Sequence, residues 1–364
     1  MTPEQQEVVD LKQSGLSIAQ IASKLGITHE SAKSRWKRAQ KWIDADSAAI
    51  EAANAAGSNV IPHSFWLKTD THSIYYKTPQ DDGKADILAD IEDKFRDLPA
   101  VELPSPTKDA LCNQMTFYAL ADIHLGQLSW GDETGEDYDA DIARDRVVDG
   151  MGRLVNAAPN SETAIIVAIG DTLHANDDSA QTPQSKHSLD VDSRHYKAQD
   201  MAIEMFAASV ELAAQKHKKV TFCILPGNHD RDSYRAIMFA MRERYRLDDR
   251  ITIVVTPMEF FVHEFGKCMI ACHHGDKAKA QRLVLDAADR WPEMWGRTRH
   301  RFYFTGHLHH HKSEDIGGMT WEQLRAVTAK DAYASSHAYS ARSQAQAIVY
   351  HKERGEIARH KVGF

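Results

Sequence analysis

Five short stretches of this sequence place metal-ligating side chains next to a glycine or just behind an apolar run. They read Asp122-x-His124, then Gly170-Asp171 with His174, and then Gly227-Asn228-His229-Asp230. His273-His274-Gly275-Asp276 and Gly306-His307-x-His309 complete the set. Imidazole, carboxylate and amide together suit Mn²⁺, iron or Zn²⁺, whereas an all-oxygen set would point to Mg²⁺ or Ca²⁺. Two such cations sharing one carboxylate sit about 3.5–4 Å apart, the spacing of a clamp that activates water for in-line attack at phosphorus. Glycine beside a ligand lets the backbone turn sharply. A lone His-His pair or one G-H-x-H is more often loop composition than a site. Five such turns in this order argue for a site.

The candidate ligands span almost two hundred residues, so the fold must bring them together. From about residue 114 the chain alternates apolar strands with longer helical stretches. The strands are "MTFYALAD", "TAIIVAIGD", "VTFCILPGNHD", "KCMIACHHGD" and "RFYFTGHLHH". The helical stretches cover 141–156, 196–217 and 231–246. That alternation predicts an α/β domain. In such sheets ligand sites form at the carboxyl ends of strands, where each of the five turns begins. The closing "AQAIVYHKERGEIARHKV" predicts an antiparallel hairpin turning at Arg354-Gly355. Strand alternation favours His274 over His273 as the inward residue.

The set D-x-H, GD, GNHD, H-G-D and GH-x-H resembles the calcineurin-like metallophosphoesterases over roughly residues 114–364. Within that superfamily it is most similar to phage- and prophage-associated members described as DNA-repair-exonuclease-like. The resemblance implies a metallophosphoesterase β-sandwich flanked by helices, with metals at one edge. It implies a first metal on Asp122, His124, Asp171 and His309. A second metal would sit on Asp171 again, with Asn228, His274 and His307. His229 would stand near the phosphoryl oxygens as general acid or transition-state stabiliser, and Asp230 could accept a hydrogen bond from its ring. His174 would lie near the substrate phosphate, as in nuclease members. The cofactor expected is two divalent ions, Mn²⁺ first, with iron, zinc or nickel as alternatives.

Other polar residues are read more plainly. Arg231, Arg325 and Arg342 are candidate phosphate contacts. Asp177, Asp178, His187, Asp190, Asp192 and Arg194 fall in a long polar insertion whose default is a solvated loop. His310 and His311 need no ligand role.

Ahead of this domain, residues 1–43 predict three short helices. Ser17 and Gln20 have capping-box spacing, and Gly15 and Gly26 act as stops. Ala32, Trp36 and Ala39 of the third helix can face inward. The order and the tight turn before the third helix resemble a helix-turn-helix DNA-binding unit. Lys33, Arg35, Lys37, Arg38 and Lys41 would supply phosphate contacts. A small packing or oligomerisation unit with a solvated basic face is the alternative. Residues 44–113 form an acidic linker, with a candidate hairpin in "SFWLKTDTHSIYYKT" and a helix in "KADILADIEDKFRDL".

The whole chain has 364 residues, 42% hydrophobic and 26% charged, with net charge −8. Residues 1–43 carry seven Lys/Arg against four Asp/Glu, and residues 44–110 six against thirteen. One large core plus an appendage is expected at this length. The opening "MTPEQQEVVD" lacks a signal-peptide pattern and no apolar run approaches a membrane span. The four cysteines make no close CxxC pair, so reduced thiols are expected. A cytoplasmic location follows as expectation, the bacterial host's if the chain is phage-encoded, with no membrane partner and homo-oligomerisation left open.

Function is therefore expected to be two-metal phosphoester hydrolysis, as a nuclease or phosphodiesterase acting on DNA. A small-substrate phosphatase or cyclic-nucleotide phosphodiesterase with a structural amino-terminal unit is the alternative. A DNA-binding regulator with a decayed site is a third.

Overall fold

A computed structural model describes residues 3–29, 31–37, 39, 64–68, 73–77, 101–106 and 110–364. The chain divides into two compact units, Met1–Ile87 and Leu88–Phe364. The expected helix over residues 84–98, and Arg38 and Lys41, lie outside the described residues.

In the first unit, helices Pro3–Gln13 and Ile18–Leu25 precede a helical stretch over 31–37. The second helix starts where Ser17 Oγ accepts the Gln20 N–H while Gln20 Oε1 accepts the Ser17 N–H at 2.9 Å. It stops at Gly26, whose φ of 64° closes the turn. Val8, Ile21, Ala22 and Ala32 form a small core with Trp36 against it. Lys33 and Lys37 are exposed and Arg35 is half-buried. Strands β1 (Ser64–Lys68) and β2 (Ser73–Lys77) pair antiparallel as the predicted hairpin.

The second unit is built on two sheets. The larger contains β3 (Leu111–Leu120), β4 (Ser161–Ile169), β5 (Lys219–Leu225), β6 (Ile251–Ile253), β12 (Gln344–His351) and β13 (Gly355–Gly363). Its order is β13-β12-β3-β4-β5-β6, with β3 to β6 parallel and the terminal hairpin antiparallel. The smaller sheet runs β10-β11-β9-β8-β7, from β7 (Phe261–Phe265), β8 (Cys268–Cys272), β9 (His300–Thr305), β10 (Lys312–Ile316) and β11 (Met319–Gln323). Strands β8, β9 and β11 are mutually parallel.

Period-two alternation decides how these strands pack. Phe117 and Ala119 of β3, Ile165 and Val167 of β4, and Cys223 of β5 meet Cys268, Ile270, Cys272 and Phe304 between the sheets. Phe117 and Phe304 stack across that layer with ring centroids 5.1 Å apart. Truncating either ring would cost about 3–5 kcal/mol. The intervening residues Tyr118, Ile166 and Phe222 face outward under helices Ala140–Ala157, His195–Lys216 and Tyr234–Tyr245. On the far side, Met269, Ala271 and Tyr303 pack under helix Ala280–Arg290. The result is four layers, helix–sheet–sheet–helix. The three buried cysteines are free and belong to this packing.

One polar group is sealed under the outer helices. His217 is fully buried; its Nε2 lies 2.8 Å from the Tyr118 hydroxyl and its Nδ1 2.8 Å from the Ser161 carbonyl. Both ring nitrogens are engaged by a neutral imidazole, and burial lowers its pKa to about 4. The folded-state value is below the unfolded one, so its contribution is complete above about pH 6.5. It is lost as pH falls toward 4. We expect the stability difference between wild type and His217→Gln to shrink by about 2 kcal/mol from pH 7 to pH 5, read by urea unfolding. An unchanged difference would refute the assignment.

Candidate metal centre

The five turns emerge at one end of the sandwich. Asp122 and His124 follow β3, Asp171 and His174 follow β4, and Asn228 to Asp230 follow β5. His274 follows β8, and His307 and His309 follow β9. The larger sheet thus supplies both carboxylates and the amide, and the smaller sheet three imidazoles.

The backbone bends unusually to do this. Eight non-glycine residues have left-handed φ among those described, and five are Asp122 (51°), His124 (48°), Asp171 (47°), His307 (74°) and His309 (58°). Each such residue costs roughly 1–3 kcal/mol, and such strain clusters at functional sites. Three glycines clear the space. A Cβ on Gly170 would strike the His274 ring, one on Gly227 the Asp171 carboxyl, and one on Gly306 the Asp122 carboxyl.

Asp171 lies centrally. Its Oδ1 accepts the His229 N–H at 2.8 Å. Its Oδ2 stands 3.1 Å from His274 Nε2 and 3.8 Å from His124 Nε2. The same His274 nitrogen is 3.1 Å from Asn228 Oδ1, while its Nδ1 lies 3.0 Å from the Ile169 carbonyl. A proton on Nδ1 donates to that carbonyl and leaves Nε2 for a ligand. Asp122 accepts the His307 N–H on both oxygens, at 2.9 and 3.0 Å, and its Oδ1 is 3.5 Å from His309 Nε2. Ligand atoms of Asp122, His124 and His309 lie within 4.8 Å of one another, as do those of Asp171, His274 and His307.

These donors fit divalent cations. His124 Nε2 and His309 Nε2 face each other at 3.3 Å, so a proton or a cation must lie between the two nitrogens. Burial, and then His229, hold the His124 imidazole well below its ordinary pKa. Burial opposes charge on His274 as well, but Asp171 and Asp122 override it and raise that imidazole to about 10. Burial is likewise outweighed at His309, where Asp122 raises the value. At Asp171 burial favours the neutral acid, yet His274, His229 and His124 hold the carboxyl well below its usual range.

Two expectations change in detail. Asp230 does not touch the His229 ring. It is fully buried and accepts backbone N–H groups from Gly227 (2.8 Å), Thr172 (2.8 Å) and Leu173 (3.2 Å), joining the turns after β4 and β5. Burial and then the Asp171 charge raise it to about 6. The His229 ring is instead held by the His174 carbonyl, 2.7 Å from its Nδ1. His174 itself is buried, with its Nδ1 3.1 Å from His124 Nδ1, and burial lowers it to about 3. It therefore supports His124 and His229 from behind.

His273 faces away from the cluster, 4.8 Å from the Phe260 ring. Arg231 is committed to Asp276 at 2.7 Å and Glu259 at 3.5 Å, which leaves it poorly placed as a phosphate contact. His310 is exposed and His311 pairs with Glu322 at 3.2 Å. In the polar insertion, His187, Asp190 and Arg194 are exposed, whereas Asp192 caps the Ala140 N–H at 3.0 Å.

A groove of about 850 Å³ opens over His124, Asp171, Asn228, His229, His307 and His309. Its lining also takes in residues between Arg325 and Ser343, among them Lys330, Tyr333, Tyr339 and Arg342. Sequence reasoning singled out the two arginines and missed the tyrosines, which sit in an Ala/Ser-rich stretch without periodicity. A separate cavity of about 540 Å³ beside Gly126, Asp178 and Arg194 contains none of the clustered ligands.

No protein-family model and no curated protein matches the chain. Among solved structures it is similar to a conserved uncharacterized protein, a predicted phosphoesterase, from Streptococcus pneumoniae TIGR4. Identity there is 11%, over 70% of this chain and 100% of that one, with a TM-score of 0.29. An archaeal phosphodiesterase is 10% identical over 69% and 100% of the two chains, with a TM-score of 0.35. Vps29 complexed with zinc from Entamoeba histolytica is 11% identical over 68% and 99%, with a TM-score of 0.27. Likenesses this weak carry no argument about chemistry, which rests on the geometry above.

Asp171 and Asp122 favour a proton on His274 when no cation is bound, so a metal taking its Nε2 would displace that proton. Titrating Mn²⁺ into the chain at pH 7 in buffers of different ionisation enthalpy should show at least one proton released. Zero release would show that His274 is already neutral before the cation binds. Asp171→Asn should lower bound metal from two ions per chain to one or none, counted by elemental analysis. Retention of two ions would show that Asp171 is not shared.

Proposed function

We propose that the chain is a two-metal-dependent phosphoester hydrolase of the calcineurin-like metallophosphoesterase type, acting on DNA as a nuclease or phosphodiesterase. The observation that carries the reading is the position of the Asp171 carboxylate. One oxygen faces His274 of one ligand group and His124 of the other, as a shared carboxylate requires. Bound divalent cations would supply activation of water and neutralise charge on the phosphoryl oxygens. Mn²⁺ suits the imidazole-rich set, and iron, zinc or nickel are accommodated by the same donors.

The chain's own groups do the rest. Asp122 and Asp171 concentrate negative charge beneath the groove, so cations rather than substrate occupy its floor. His229 lies half-buried at that floor. Its Nδ1–H donates to the His174 carbonyl, which leaves Nε2 as the atom that can meet a phosphoryl oxygen or pass a proton to the leaving oxygen. His174 keeps this ring from swinging and positions His124 through the other face. Asp230 locks the turn that presents His229.

Two features support DNA as substrate. The first unit has three helical stretches in the order of a helix-turn-helix, with Lys33 and Lys37 exposed and Arg35 beside them. A DNA-binding module on the same chain raises the local concentration of DNA at the reaction site. The groove that opens over these residues is also lined by Arg325 and Arg342. The alternative of a small phosphoester substrate draws support from net charge: residues 111–364 carry about −4, which disfavours a long polyanion.

A panel with Mn²⁺ separates these readings: single- and double-stranded DNA of defined ends, a nitrophenyl diester, a nitrophenyl monoester and cyclic nucleotides. We expect cleavage of DNA and of the diester. His229→Ala should lower turnover about a hundredfold or more with metal content retained. Turnover confined to the monoester or cyclic nucleotides would favour the alternative, and no turnover on any phosphoester would end the hydrolase reading.

A further inference from the structure

We propose that Tyr333, His337 and Tyr339 form a stacking platform for unpaired nucleobases, so that the strand entering the groove is single-stranded nucleic acid. This rests on the phosphodiesterase reading and names the form of its substrate.

The three rings make a ladder at the groove, which Tyr333 and Tyr339 line, with the His337 ring between them. Tyr333 and His337 have centroids 4.2 Å apart at 33°, and His337 and Tyr339 5.9 Å apart at 27°. None is used to build the core: Tyr333 is 64% exposed, Tyr339 58%, and His337 is exposed as well. Large aromatic surface held in water beside a reaction centre is costly unless something covers it.

The ladder is held in place by local structure. Asp331 caps the short helix Ala332–Ser336 by accepting the Ala334 N–H at 2.7 Å. The Ser335 hydroxyl donates to the Glu133 carbonyl at 3.0 Å, bracing that helix from a neighbouring turn. His337 Nδ1 lies 2.9 Å from the Tyr333 carbonyl, which fixes the middle ring. Ala338 then takes a left-handed φ of 58°, and the Tyr339 N–H donates to the Ala334 carbonyl at 3.0 Å. That reversal folds Tyr339 back beside His337. An alanine in this conformation is strained, and strain of this kind is found where geometry serves a function.

Charge along the same groove fits a polyanion. Arg325, Lys330 and Arg342 line the groove with Tyr333 and Tyr339, and among the described residues none forms an ion pair with a carboxylate. Asp331, next to Lys330, is committed to its helix cap. Cations that track a backbone, alternating with rings that take bases of any sequence, are how single strands are bound without sequence readout. A duplex keeps its bases stacked on each other and offers the ladder nothing, so only unpaired bases gain from it.

Fluorescence anisotropy on the full, Mn²⁺-loaded chain tests this with two labelled 12-mers of equal charge. One is oligothymidylate and the other carries abasic tetrahydrofuran residues throughout; strand integrity is checked by electrophoresis. Wild type should bind the thymidylate strand about tenfold or more tightly. The double variant Tyr333→Leu, Tyr339→Leu should lose that preference to within about twofold, and Tyr333→Phe, Tyr339→Phe should keep it. A uridylate 12-mer bound with the same preference would extend the platform to RNA, since stacking ignores the sugar. Equal affinity of wild type for both DNA strands, or full preference in the leucine variant, would overturn the proposal. Hydrolysis of a nitrophenyl diester is measured in parallel. Its absence would defeat the phosphodiesterase reading while the anisotropy ratio still decides the platform.

Discussion

A carboxylate taken out of water must be matched by positive charge or by donated hydrogen bonds, and Asp171 is where this protein meets that requirement. One oxygen takes a backbone N–H from the turn after β5. The other faces imidazoles from both sheets. Much of the surrounding architecture follows from that demand. Gly227 has no Cβ because Asp171 occupies the place where one would go, and Gly170 has none because His274 does. The left-handed backbone at five ligand positions is the conformational cost of pointing so many polar groups at one spot. Strands β3, β4 and β5 are buried on both faces, and this rigid base lets the turns at their ends hold such strain.

The part of this site legible in the sequence was the part written into glycine-flanked turns after apolar runs. The five turns converge as their places at strand ends suggest, and they bring together Asp122, His124, Asp171, Asn228, His274, His307 and His309, the set that the resemblance implies. The sandwich was expected only through resemblance. Edge strands such as "KSEDI" carry too little apolar alternation to be noticed, so β10 and its partner β11 went unforeseen. Asp230 shows a different limit. Adjacent residues in a turn aim in different directions, and adjacency to His229 misled about its partner. Its carboxylate points inward to three amides that no local pattern reveals. The resemblance to nuclease members sets His174 near substrate, whereas the pairing of Leu125 with Leu173 tucks it behind His124, a tertiary event that no local pattern reveals.

Support from behind recurs across the site. His174 fixes two histidines, the Ile169 carbonyl fixes His274, and Asp230 fixes a turn. Further along the sandwich, Glu322 of β11 is buried against Arg359 of β13, with one contact at 2.7 Å, and Gln346 of β12 lies beside it. That pair ties the smaller sheet to the larger one. Directional contacts of this kind fix how two faces align, which an apolar layer alone does weakly.

Because Asp122, His124, Asp171 and Asn228 project from the larger sheet and His274, His307 and His309 from the smaller, the apolar layer between the sheets works like the spacer in a caliper. Phe304 stacks on Phe117 only a few residues before His307 and His309, so the thickness of that ring pair sets the gap across which the two jaws close. A slimmer side chain at either ring would draw the two groups of polar residues closer together while it loosened the packing between the sheets.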